Sequence, residues 1–314
     1  MTNKYNQNKG DLKKGFSHNK KTFPELVWNG RKPESDYDNK VTRYGNMVDE
    51  LYSFVEHDKK YFNVVFDFFS SVTEPYTNEK IKLRERYVYL LEVNHKRQGF
   101  SIDETRKRLL LFNKMLDLQK DEFKTFRGFF IEEFLNRKLS SRIGIFERVF
   151  SEEEIQIKNY SKKSEFSTKS DVDVIHISCT EPLTKSNAHR VGKIKKFTAY
   201  ECKATIWPFL IKQVYCKYPP KKHVNKVIYM VELTNIVNEI YSDSERQLNI
   251  VGYKSLDEES LLDVENAIRK IKYEEHYKKN NKEFLRALYE IKKFYDNGIL
   301  RLTGKQELQT LLYA

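Results

Sequence analysis

In the stretch FTAYECKAT, residues 197–205, a glutamate and a lysine stand two residues apart in a segment otherwise suited to a buried strand. Alternation puts Phe197, Ala199, Glu201 and Lys203 on one face and Tyr200, Cys202 and Ala204 on the other, so both charges point the same way. Buried ions are costly unless paired or engaged with a ligand, so this pair calls for a partner. The segment DVDVIHIS at 171–178 has the same form, with Asp171, Asp173, Ile175 and Ile177 on one face. If the two strands are neighbours, Asp173 and Glu201 converge on one cation. Carboxylate oxygens joined by a backbone carbonyl are hard ligands, suited to Mg²⁺ or Mn²⁺ rather than zinc. Lys203 then stands beside the ion, where an amine can orient a water or help deprotonate it.

The elements that must position these residues follow from periodicity. Residues 1–35 are polar and basic and read as a flexible arm, apart from a local cluster of Phe23, Leu26, Val27 and Trp28. Residues 36–120 form a helical N-terminal region. It contains NEKIKLRERYVYLLEVNHKRQ at 78–98, followed by a helix opened by the capping box Ser101 and Glu104. DEFKTFRGFFIEEFLNRKL at 121–139 stacks Phe123, Phe126, Phe130 and Phe134 at steps of three and four. The period then changes, with strands expected at 145–150, 171–178, 197–205, 226–233 (KVIYMVEL) and 249–253. WPFLIKQVY at 207–215 can open a helix with Pro208 at its first position. A helix, three strands, a helix and a further strand make a mixed α/β unit over 121–254. From 255 to 314 the chain reads as helical, with a second capping box at Ser255 and Glu258 and a stop at Asn297-Gly298.

The order of a helix-borne glutamate in RGFFIEEFL, an aspartate in DVDVI and Glu-x-Lys in YECKA resembles the PD-(D/E)XK nuclease superfamily. The resemblance covers roughly 125–235. It implies an α/β fold, a restriction-endonuclease-like mixed-sheet core flanked by N-terminal and C-terminal helical regions. It further implies Asp173, Glu201 and the Cys202 carbonyl as ligands of Mg²⁺ or Mn²⁺, Lys203 next to the attacking water, and a supporting helix glutamate. A Gly-x-x-x-Glu pattern selects Gly128 and Glu132, whereas the phenylalanine stripe puts Glu133 nearer the packed face; Glu132 is the one expected at the site. Two features depart from the pattern. There are 27 residues between Asp173 and Glu201, more than a tight hairpin, and no QxxxY extension follows. The implied activity is metal-dependent hydrolysis of nucleic acid, DNA before RNA, by an endonuclease of the kind used in restriction or antiphage defence.

Charge supports a polyanionic partner. Lys and Arg number 57 against 45 Asp and Glu, a formal charge of +12. Lys185, His189, Arg190, Lys193, Lys195 and Lys196 crowd the connection at 179–196, expected beside the carboxylates as a phosphate-binding loop. SKKSEFSTKS at 161–170 and YPPKKHVNK at 218–226 are basic too. The rival class is a catalytically silent nucleic-acid-binding or assembly subunit, using its helical regions to dock a partner protein or a second copy. Retention of two mutually repelling carboxylates beside a lysine argues against it.

Other residues read as structural. His176 falls on the opposite strand face from the aspartates, and the aromatic run YFNVVFDFFS at 61–70 is packing rather than base stacking. Cys179, Cys202 and Cys216 have no metal-type spacing and suit a reducing compartment, with the cytosol expected. The first twenty residues lack the apolar core of a signal peptide, and no apolar run suits a membrane span.

Overall fold

Helix signals dominate the chain up to residue 140, and among the described residues five helices form there: α1 Asp36–His57, α2 Lys59–Ser71, α3 Lys80–Gln98, α4 Ile102–Asp117 and α5 Lys120–Ser140. In this computed structural model the residues described are 25–28, 36–71, 80–98, 101–151, 155–158, 172–183, 193–204, 206, 209, 226–256 and 293–313. The capping box forms as expected at α4. The Glu104 amide donates to the Ser101 hydroxyl at 3.2 Å, and the Ser101 amide donates to the Glu104 carboxylate at 2.9 Å. All four stripe phenylalanines of α5 are buried, as are Tyr61, Phe62, Phe66, Phe68 and Phe69 of α2, which fixes the aromatic run as core.

The sheet has the order β2-β4-β5-β6-β7, from β2 Glu147–Ser151, β4 Val174–Cys179, β5 Ile194–Cys202, β6 Glu245–Val251 and β7 Leu300–Thr303. Its first three strands are antiparallel neighbours. The chain then crosses through helix α6, Lys226–Ile240, to lay β6 parallel to β5, and β7 is parallel to β6. A parallel neighbour requires such a crossover, and α6 fills that role. One sheet face, with Val174, Tyr200, Cys202, Val251 and Tyr253, packs on α5 and the N-terminal helices. The other, with Ile175, Ile177, Phe197, Ala199, Leu248 and Ile250, packs on Met230, Leu233 and Val237 of α6.

Several expectations are corrected. KVIYMVEL belongs to α6, not to a strand. Its buried positions Met230, Leu233 and Val237, with partly buried Ile240 packed beside them, recur at three- and four-residue steps. The strand expected at 249–253 does join the sheet, but as the end of a longer strand, β6, that starts at Glu245 and stops at Val251, and the crossover helix stands where the fourth strand was expected. The first strand starts two residues later than read, since Ile145 and Phe146 are exposed. Part of the expected flexible arm is ordered: β1, Glu25–Trp28, pairs antiparallel with β3, Ile155–Lys158, in a separate two-stranded sheet. After the expected stop, where Gly298 takes φ of 70°, the chain adds β7 and a final helix, α7 Lys305–Tyr313. Most of WPFLIKQVY, Glu258 of the second capping box and the long charged stretch before 293 lie outside the described residues.

Candidate active site

Asp173 stands one residue before β4, and the β4–β5 register, in which Val174 faces Tyr200, brings it alongside Glu201 at the end of β5. Where the ladder ends, the Asp173 carboxylate continues it: its Oδ2 accepts the Cys202 amide at 2.7 Å. Lys203 is held from the other side, its amide donating to the Val251 carbonyl of β6 at 2.8 Å. The two strands expected to be neighbours are neighbours, and Asp173, Glu201 and Lys203 share a sheet face with Ile175 and Phe197.

Three oxygens meet at one point. The Lys203 ammonium lies 2.5 Å from Glu201 Oε1 and 3.2 Å from Asp173 Oδ2, and it donates to the Cys202 carbonyl at 3.0 Å. Glu201 is fully buried and Asp173 nearly so, whereas the Lys203 side chain is 28% exposed. A single nitrogen touching all three oxygens demonstrates that they converge on a volume of cation size. That donor set, two carboxylates and a carbonyl, fits a hard divalent ion. Among the described residues no group of three His, Cys, Asp or Glu side chains is arranged to hold a metal, so an ion here would rely on the backbone oxygen.

Glu132 lies close enough for its charge to act on the site. Burial pushes the Cys202 thiol well above its ordinary pKa, and the negative charges of Asp173, Glu132 and Glu201 push in the same direction while Lys203 opposes them. Glu133 turns elsewhere: it accepts from the Tyr37 hydroxyl, and Arg137 Nε donates to it at 3.2 Å. Lys40 of α1 lies 3.9 Å from Glu132 Oε2. Sequence reading did not single out Lys40. Its one local signal, an i,i+4 pairing with Asp36, looks like an ordinary solvated helix pair. Cys179 and Cys202 are buried free thiols, with burial pushing Cys179 up to about 11, which disfavours the thiolate form that a nucleophile needs. Cys216 and Asp171 lie outside the described residues. His176 is half-buried with its Nε2 3.5 Å from Glu147, a structural placement.

The basic connection is anchored away from the carboxylates. β4 runs from the site and β5 returns to it, so the described ends of the connection meet at the far end of the strands, where the Thr180 amide donates to the Lys193 carbonyl at 2.9 Å. Lys193, Lys195 and Lys196 are exposed there, with Lys196 opposite Ser178, roughly 17 Å along the strand from Glu201. The expectation that these three lie beside the site is corrected by this register. Lys185, His189 and Arg190, with most of the other two basic stretches, lie outside the described residues.

Gly252, just after β6, lies under the site. A Cβ there would meet Ile206 Cγ1 at 2.6 Å and the Lys203 carbonyl at 3.4 Å. Gly252→Ala therefore collides with the buried Ile206, an overpacking expected to cost about 1–3 kcal/mol. Urea unfolding should find this loss and should find it smaller than additive when combined with Ile206→Ala. Full additivity would mean that the two side chains do not collide.

No helix among the described residues is long and apolar enough to cross a membrane. No family model matches the chain, and no curated protein proves similar to it.

Proposed function

We propose that the protein is a metal-dependent phosphodiesterase acting on nucleic acid, an endonuclease with a PD-(D/E)XK-type centre. The observation that carries this reading is the convergence of Asp173, Glu201 and the Cys202 carbonyl on one cation-sized volume, which the Lys203 ammonium fills. The sheet order adds support, with an antiparallel trio, a crossover helix and a parallel fourth strand, and α5 laid across the face behind the site.

Asp173, Glu201 and the Cys202 carbonyl would hold Mg²⁺ or Mn²⁺, which supplies Lewis-acid neutralisation of phosphoryl charge when bound. The chain's own part is positional. Asp173 is fixed by the Cys202 amide and Glu201 is locked by burial, so neither carboxylate must reorganise as charge develops. Lys203, the most exposed of the three, is placed to hold the water that attacks phosphorus in line and to take part in its proton transfer. The bond that breaks joins phosphorus to the 3′ oxygen, leaving a 5′ phosphate and a 3′ hydroxyl.

The lysines at the far end of the hairpin suit the same substrate. A reach of roughly 17 Å corresponds to about five base pairs of duplex, so one short duplex can touch both places. Replacing Lys193, Lys195 and Lys196 with glutamine should weaken duplex binding and lower the slope of log affinity against log salt by between about 1 and 3. Fluorescence anisotropy at several salt concentrations measures it; an unchanged slope would remove these residues from the interface. The activity itself is tested by incubating the full chain with plasmid, linear duplex, single-stranded DNA and RNA, with Mg²⁺ or Mn²⁺ and with a chelator. Scission of at least one substrate, stopped by the chelator, is expected.

A further inference from the structure

We propose that Lys203 is a tethered cation that occupies the divalent-ion seat of the metal-free protein and is displaced from it when an ion binds. This rests on the metal-site reading above and deepens it. The three oxygens that would ligate an ion are the same three that the Lys203 ammonium now contacts, at 2.5, 3.2 and 3.0 Å. A divalent ion of the Mg²⁺ class takes oxygens at about 2.1 Å and draws them into its own shell, so the two cations exclude one another from this volume.

The arrangement has a physical rationale. Two carboxylates buried side by side repel, and with no counter-charge they would destabilise the fold. Lys203 compensates them in the metal-free state. Its side chain is 28% exposed, so its end can withdraw towards solvent. The Phe209 ring, whose centroid is 5.3 Å from Nζ, offers a surface for the withdrawn ammonium. Ion affinity is then set by an exchange of one cation for another. It is lower than the ligands alone would give, and it should rise when the tethered competitor is removed.

Two measurements on the full chain test this. Mn²⁺ binding is followed by the electron paramagnetic resonance of the free ion, for the parent protein and for Lys203→Met. The variant keeps the apolar stem but loses the competing charge, and it is expected to bind Mn²⁺ at least about tenfold tighter. In the parent protein, acetylation of Lys203 by a limiting reagent, read by mass spectrometry, is expected to rise severalfold once Mn²⁺ saturates the site. The second measurement stands even if Lys203→Met fails to fold. Equal or weaker Mn²⁺ binding by a folded variant would overturn the exchange while leaving the metal site intact, and so would unchanged or reduced acetylation of the ion-loaded parent. Absence of Mn²⁺ binding in both proteins would overturn the exchange together with the metal-site reading beneath it.

Discussion

Glu201→Gln is expected to abolish Mg²⁺-dependent cleavage, by roughly 10²–10³-fold or more, while the protein stays folded and still binds nucleic acid. Glutamine has the shape of glutamate, so the packing around the fully buried side chain is preserved. What it loses is one of the two negative charges that make the seat attractive to a divalent ion. Lys203 keeps its contacts with Asp173 and the Cys202 carbonyl, so the metal-free protein retains a compensated site. The proposed function draws affinity for the polyanion from exposed lysines elsewhere, so binding should change by less than about threefold. Single-turnover cleavage beside anisotropy binding separates the two effects. Activity lost in step with folding would make Glu201 a packing residue.

The largest stability effect is expected at Tyr253, which joins the sheet to the helices. Its ring is fully buried, with centroids 4.9 Å from Phe66 and 5.1 Å from Phe69, and its hydroxyl donates to the Arg127 carbonyl at 2.6 Å. Burial also raises the phenol well above its ordinary pKa, so it stays a neutral donor. Tyr253→Ala should cost about 3–5 kcal/mol by removing a large ring from an aromatic core. Tyr253→Phe keeps the ring but removes the hydroxyl that donates to the Arg127 carbonyl, for about 1 kcal/mol. Because α5 lies against the same core and carries Glu132, a single cooperative unfolding transition is expected. A loss below about 1 kcal/mol for the alanine variant, or separate transitions for helices and sheet, would contradict that coupling.

The sequence carried the juxtaposition of three charged side chains further than the order of the strands around them. Asp173, Glu201 and Lys203 were legible because strand alternation is rigid: once two segments are read as strands, the facing of i and i+2 positions follows. The long helices were legible from local spacing and from the Ser101–Glu104 box. KVIYMVEL failed because its β-branched residues favour a strand over eight residues, and the helical period emerges only when the run is followed to Ile240. β1 and β3 escaped notice because each has four residues and gains its structure from a partner about 130 positions away. β7 escaped for the same reason, as its hydrogen-bonding edge belongs to β6. The placing of the basic connection went astray on topology. A hairpin carries its loop to the end opposite its open strand termini, which charge composition alone does not reveal. Lys40 reaches Glu132 only through the packing of α1 on α5, a contact with no sequence signal.

The most direct measurement compares the parent chain with Asp173→Ala on the same nucleic acid, under Mg²⁺, with the ends of the products analysed. The geometry predicts scission by the parent, leaving 5′ phosphates and 3′ hydroxyls and stopped by a chelator, and none above background by a folded Asp173→Ala protein that binds the substrate as tightly. Equal scission by the two proteins would contradict it, and so would a parent chain that cuts neither DNA nor RNA with Mg²⁺ or Mn²⁺ supplied.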